Sequence, residues 1–168
     1  MSILLVGCLL FSSIGVNASV GLGWSAGVPV AIGSGNVHGH FLRWGFAEVG
    51  VDLWISPPFV HGSDIAHLEM ELAGMISYSA TVGTNIQMDI IALKFGAGID
   101  HHRFWATTWK QQPDYSDSDW GFHILGSVGL RVFWKVSLIM KYKYTLVDID
   151  NDDPNLDTHS VTFGIAVN

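Results

Sequence analysis

Charge is scarce in this chain, and positive charge scarcest. Only 14% of its residues are Asp, Glu, Lys or Arg, and 8 basic side chains face 15 acidic ones, for a formal net charge of −7. Nucleic-acid binding needs a basic face to meet phosphate, so this balance excludes that class. Cysteine is nearly missing: Cys8 alone allows no intramolecular disulfide and no thiol-rich metal site. Past the N-terminus, no apolar run reaches the ~18 residues of a membrane-crossing helix. A nucleophile elbow, a phosphate-binding loop, a zinc-protease helix, paired CxxC and a dinucleotide turn are all wanting. The chain therefore reads as non-enzymatic and without a cofactor. What it has is 49% hydrophobic residues and 19 glycines in 168 residues, one domain's length.

Residues 3–15 form an apolar stretch followed by Val16-Asn17-Ala18. Small residues there suit cleavage of an export signal after Ala18. The expected division is a signal peptide over 1–18 and a barrel domain over 19–168. Leu5-Val6-Gly7-Cys8 also matches a lipobox, under which Cys8 would carry lipid; ordinary cleavage would remove it.

The most informative stretch is Gly121–Leu146. Even positions read Phe122, Ile124, Gly126, Val128, Leu130 and Val132, then Val136, Leu138, Met140, Tyr142, Tyr144 and Leu146 beyond Trp134-Lys135. Odd positions hold His123, Leu125, Ser127, Gly129 and Arg131, then Ser137, Ile139, Lys141, Lys143 and Thr145. Successive strand side chains alternate faces. Each segment therefore has an apolar face and a mixed face of small and charged groups, at the length a tilted strand needs to cross a bilayer.

The same period recurs along the chain. Ser19–Val30 is predicted as the first strand, Ile32–Asn36 as a turn and Val37–Arg43 as a weak second strand. Phe46–Ser56 alternates again, and Pro57-Pro58 breaks the ladder. Ile65–Ser79 is the next strand, Thr81–Asn85 a turn, and Ile91–His101 another strand. A polar loop is expected over 102–118, an acidic loop over 148–157, and a last strand from His159. Eight strands result when the weak second one is counted, and single-chain bacterial barrels have even numbers.

Gly126-Ser127-Val128-Gly129-Leu130-Arg131, a two-residue turn, and the strand from Val136 through Lys141-Tyr142-Lys143-Tyr144-Thr145 resemble the penultimate hairpin of small eight-stranded outer-membrane barrels of the OmpA and opacity types. Lys141 and Lys143 stand where that family often has Glu and Arg. The closing stretch from His159 is similar to the family's last strand, though it ends in Asn168 in place of Phe. The resemblance covers about the last eighty residues. It implies an all-β, up-and-down antiparallel transmembrane barrel of eight strands in the outer membrane of a diderm bacterium. It also implies a monomeric surface protein in contact with membrane lipid and lipopolysaccharide.

Glu48, Asp52, Glu69, Glu71 and Asp100 are expected inside the cylinder with Lys94, Arg131, Lys141 and Lys143. There they would neutralise one another in a lumen filled by side chains. Trp44, Trp54, Trp105, Trp120 and Trp134 fall near strand ends, where interfacial aromatic girdles belong. His67, Glu69 and Glu71 share one strand face and are read as inner-wall partners of the bases before a metal site. His38, His40, His101, His102 and His123 are expected near an outer rim, with a metal-binding or pH-responsive rim as the sharper reading and a merely polar rim as the plainer one. Asp148, Asp150 and Asp152 open like a calcium loop but lack its Gly and Glu. His159 and Ser160 invite comparison with lipid A deacylases, but adjacent strand residues face opposite ways.

The functional expectation is a surface barrel that anchors and displays loops 102–118 and 148–157 for envelope structure or surface interaction. Two alternatives differ in kind. One is a soluble lipocalin-like barrel holding an apolar ligand, which needs charges outside and grease inside. The other is a lipid A-modifying barrel enzyme, which needs a clustered nucleophile and base.

Overall fold

An alternating chain satisfies its backbone donors and acceptors only by pairing strand to strand. The computed structural model describes residues 11–25, 28–41, 44–56, 59–61, 69–108, 115–146 and 157–167. The ladder segments are β1 (Phe11–Ser25), β2 (Val28–Phe41), β3 (Gly45–Ile55), β4 (Phe59–His61), β5 (Glu69–Met88), β6 (Ile91–Thr108), β7 (Tyr115–Phe133), β8 (Val136–Leu146) and β9 (Thr158–Val167). Each pairs antiparallel with its neighbours. β1 joins both β2 and β9, and β3 joins β5, so the sheet closes as an eight-stranded barrel. β4 prolongs β3 along β5: Ile55 lies opposite Gly74 and Phe59 opposite Glu71. One strand takes an extra residue there, where the sequence has the two prolines that cannot donate to a ladder.

Tight turns gather at one end. Asp89-Ile90 and Trp134-Lys135 are two-residue connections, and Asp89 and Trp134 take φ of 46° and 23°. Two-residue hairpins require such left-handed backbone to match strand twist. The β2–β3 turn, the start of β1 and the end of β9 lie at this end too. At the other end the connections are longer, except for the two residues between β1 and β2.

Side chains sort by parity. Val20 is 70% exposed and Phe163 59%, and Ile124, Leu138 and Val49 also stand on the outer wall. Ser77, Asp100, Thr158 and Thr162 are buried within. Gly98 shows why glycine sits on the inner face: a Cβ there would collide with the Ala80 carbonyl and the His123 ring.

Several boundaries differ from those read off the sequence. Ile32–Asn36 is the middle of β2, not a turn. Gly33 and Gly35 face outward, so the apolar beat is silent where Ser34 and Asn36 point in. Thr81–Asn85 likewise runs through β5, and the chain reverses at Asp89. The expected loop 102–118 is largely strand, since β6 continues to Thr108 and β7 starts at Tyr115. Loop 148–156 lies outside the described residues, as do Cys8 and His67.

β1 also begins before Ser19. Ile14, Val16 and Val20 face out along one continuous strand, and Val16, Asn17 and Ala18 pair with Val167, Ala166 and Ile165. A cut after Ala18 would leave β1 with only Ser19–Ser25, short of the ~9–11 residues a tilted strand uses to span. The barrel isolated from membranes is therefore expected to retain Phe11–Ala18, as read by intact mass. A mass starting at Ser19 would instead bear out the cleavage expected after Ala18.

Candidate functional site: the packed lumen

The inner faces of β2, β3, β5, β6, β7 and β8 contribute polar side chains to the centre of the barrel. Lys143 of β8 is the hub. Its Nζ donates to Asp52 Oδ2 of β3 at 2.9 Å and to Asp100 Oδ1 of β6 at 2.8 Å. In the ring of eight, β3 and β8 stand diametrically opposite. No ladder hydrogen bond can join them, so the ion pair spans the bore itself.

Around this hub runs a chain of hydrogen bonds. His123 Nδ1 lies 2.8 Å from Asp100 Oδ2, and His123 Nε2 lies 2.8 Å from Thr81 Oγ1. Thr145 donates to Asp100 at 3.4 Å. Ser34 donates to Asp52, and Lys141 donates to Ser34 Oγ at 3.1 Å. Ser77 Oγ meets His102 Nδ1 at 2.7 Å. All of these groups are buried. Such a site excludes water and leaves a carboxylate no solvation beyond what these donors supply.

Above and below lie different layers. Ile32, Trp54, Met75 and Phe104 each sit two residues nearer the long-loop end than Ser34, Asp52, Ser77 and His102. With Val30, they form an apolar plug over the polar centre. Trp54 is thus 2% exposed and inside, contrary to the girdle expected of it. Trp44, Trp120 and Trp134 do stand outside, as does Trp24. Below the hub, toward the short turns, lie Glu48, Lys94 and Lys141, with Lys94 over the Phe46 ring at 5.3 Å.

The expected charge network is therefore assembled in large part. Glu48, Asp52, Asp100, Lys94, Lys141 and Lys143 all face in, three acids against three bases. Arg131 does not join them: it is exposed, two residues before the end of β7 and next to a register shift. Glu69 and Glu71 pair through their backbones with β4, and their side chains lie outside what is described.

The histidines do not make a rim. His38 and His40 lie on β2 near the short-turn end, opposite Glu48 and Phe46 of β3. His102 and His123 are buried in the centre. His101, one residue on from Asp100, turns outward and packs edge-on against Trp120 at 4.9 Å. Among the described residues, no group of three His, Cys, Asp or Glu is arranged to hold a metal.

His159 and Ser160 face opposite ways: His159 is exposed and bonds Tyr142 Oη at 2.8 Å, while Ser160 is buried. Ser77 with His102 resembles a nucleophile and its base, yet Ser77 has no exposure at all. Neither pair offers a reacting group to a substrate. The hydroxyls of Ser34, Ser77, Thr81 and Thr145 were missed by counting formal charges. Their inward parity was the available signal.

A buried cation that loses its head group leaves two carboxylates uncompensated. Lys143→Met is expected to cost about 3–5 kcal/mol, against less than about 0.5 kcal/mol for the exposed Arg131→Met. Urea unfolding in lipid vesicles, followed by tryptophan emission, measures both. Equal losses would refute the hub.

No family model and no curated protein matches the sequence. Solved structures do match in shape. Surface protein A of Neisseria aligns over 92% of this chain and 94% of its own, with 15% identity and a TM-score of 0.65. Ail, the attachment invasion locus protein of Yersinia pestis, solved with the heparin analogue sucrose octasulfate, aligns over 92% and 96% at 12% identity and 0.62. The outer membrane enzyme PagL aligns over 91% and 98% at 16% identity and 0.55. What is shared at these identities is the fold, that of the small eight-stranded outer-membrane barrels. Six charged side chains, Glu48, Asp52, Lys94, Asp100, Lys141 and Lys143, face inward and most apolar side chains outward, the reverse of a soluble lipocalin-like barrel.

Proposed function

We propose that this chain is a non-enzymatic, monomeric surface protein of the bacterial outer membrane. In this reading the barrel is an anchor, and the segments at its long-loop end are what it displays. The observation that carries it is the filled lumen. The apolar plug of Val30, Ile32, Trp54, Met75 and Phe104 lies directly over the polar centre in which Lys143 joins Asp52 and Asp100. The bore is occupied by side chains, as expected of a narrow eight-stranded barrel. The outer wall of Val, Ile, Leu and Phe suits hydrocarbon.

The displayed end is acidic in sequence, with Asp114, Asp117 and Asp119 on one side and five aspartates from 148 to 157 on the other. Like charges repel, so a partner of this end should be cationic or bridged by divalent ions. The sulfated sugar held by Ail marks a ligand class this surface would disfavour. Resemblance in fold to PagL favours an enzyme only weakly, because the exposed His159 has no serine on its own face next to it.

Five measurements test the reading together. The protein should fractionate with the outer membrane and migrate differently boiled and unboiled in detergent. Reconstituted in planar bilayers, it should give no steady conductance. Incubated with lipid A, it should release no fatty acid, and sulfated polyanions should not bind at low salt. Fatty-acid release or a stable open current would replace this function with another.

A further inference from the structure

The outer wall is apolar over most of its height, and one position departs from that. Among the described residues, the outward places within the strands carry a single permanently charged side chain, Arg103 of β6, which is exposed. No carboxylate among the described residues pairs with it. Asp119 of β7 faces the other way, in register with His102, and its Oδ1 accepts from the Trp120 backbone at 2.6 Å. Asp157 precedes β9, three strands round the ring, and accepts from Tyr144 Oη. A guanidinium on a lipid-facing wall with no acid beside it takes its counter-charge from outside the chain.

Register sets the height of this group. Below it on β6, Ile91, Leu93, Phe95, Ala97 and Ile99 face outward in turn, about the length a tilted strand spends in hydrocarbon. On β7 the same belt runs from Leu130 through Val128 and Ile124 to Phe122. His101 is the next outward place on β6, with Tyr78 of β5 opposite on one side and Trp120 of β7 on the other. Its ring lies 4.9 Å from that of Trp120, and Tyr78 and Trp120 are both about half exposed. Amphipathic rings of this kind mark the edge of the hydrocarbon. Arg103 comes one outward place later, at the level of the headgroups in the leaflet on the long-loop side. Trp105 follows, its ring in the space that a Cβ on Gly74 would take. The guanidinium is thus bracketed along β6 by aromatic layers, and it presents the planar fork of N–H donors that fits two oxygens of a phosphate at once.

We propose that this face of β5, β6 and β7 holds the phosphate of an anionic lipid in that leaflet, with Arg103 as its counter-charge and His101, Trp120 and Tyr78 against the lipid below its headgroup. Charge complementarity selects the occupant, on a wall that already meets lipid. The inference rests on the closed barrel and the sorting of its faces. Fatty-acid release from lipid A would replace the proposed function and leave this site standing.

The test uses the whole chain refolded in phosphatidylcholine nanodiscs doped with phosphatidic acid, then released into mild detergent for native mass spectrometry. The barrel is expected to keep one phosphatidic acid in preference to phosphatidylcholine. Arg103→Gln, at an exposed position, should lower that retention by about tenfold or more, with heat-modifiable migration unchanged. Arg103→Lys keeps the charge without the fork and should retain an intermediate amount. Arg131→Gln, at the short-turn end, should match the parent protein. Inorganic phosphate should not displace the lipid. Equal retention by Arg103→Gln and the parent, or no preference over phosphatidylcholine, would overturn the proposal. Displacement by inorganic phosphate would overturn it too, and so would a lipid-free dimer lost in Arg103→Gln, which would give the face to a second copy.

Discussion

Everything in this molecule follows from the rule that hydrocarbon offers a backbone no hydrogen-bond partner. A sheet in that solvent must have no free edge, and β1 meets that demand by pairing on both sides, with β2 and with β9. Closure then fixes the two faces. Outward positions need no polarity and carry Val, Ile, Leu and Phe. Inward positions share a bore too narrow for eight large residues per layer. Glycine, serine and threonine therefore take many of them, and the long side chains that enter must reach one another.

The ion pairs have a role that differs from simple stabilisation. A buried pair recovers little more than the cost of removing its charges from water. What it fixes is geometry. Ladder hydrogen bonds relate each strand only to its neighbours, and a slip of one residue anywhere would exchange the two faces. Lys143 ties β8 to β6 and to the distant β3, and Lys141 ties β8 to β2. Those bonds form only when every intervening register is correct. Charge thus selects one cylinder among several that the ladders alone would permit.

The degree to which this could be read from sequence depended on side-chain contrast. In β8, Leu138, Met140 and Tyr142 alternate with Lys141 and Lys143, and both faces were legible at once. In β2 the outward set includes Gly33 and Gly35, so contrast vanished and a strand centre looked like a turn. Beyond His101, His102 and Phe104 continue inward and His101 and Trp105 do not, yet the polar run hid the period and suggested a loop. Trp54 resembled a girdle residue by its place near a strand end. Only its parity with Asp52 shows that it caps the lumen. Register across the barrel was not legible at all, because no single strand records which residue will face it from the far wall.

The strands are of unequal height. β5, β6 and β7 run 20, 18 and 19 residues, while β8 and β9 run 11 and 10. At about 3.3 Å per residue, the first three rise well past what a bilayer requires. Among the described residues, the ladder therefore stands higher along β5, β6 and β7 than along β8, β9 and β1. On the lower side Tyr142, Tyr144 and His159 cluster together. A visitor arriving along the membrane plane there meets these aromatic rings on the outer wall, whereas one reaching β5, β6 and β7 meets strand continuing well beyond that level.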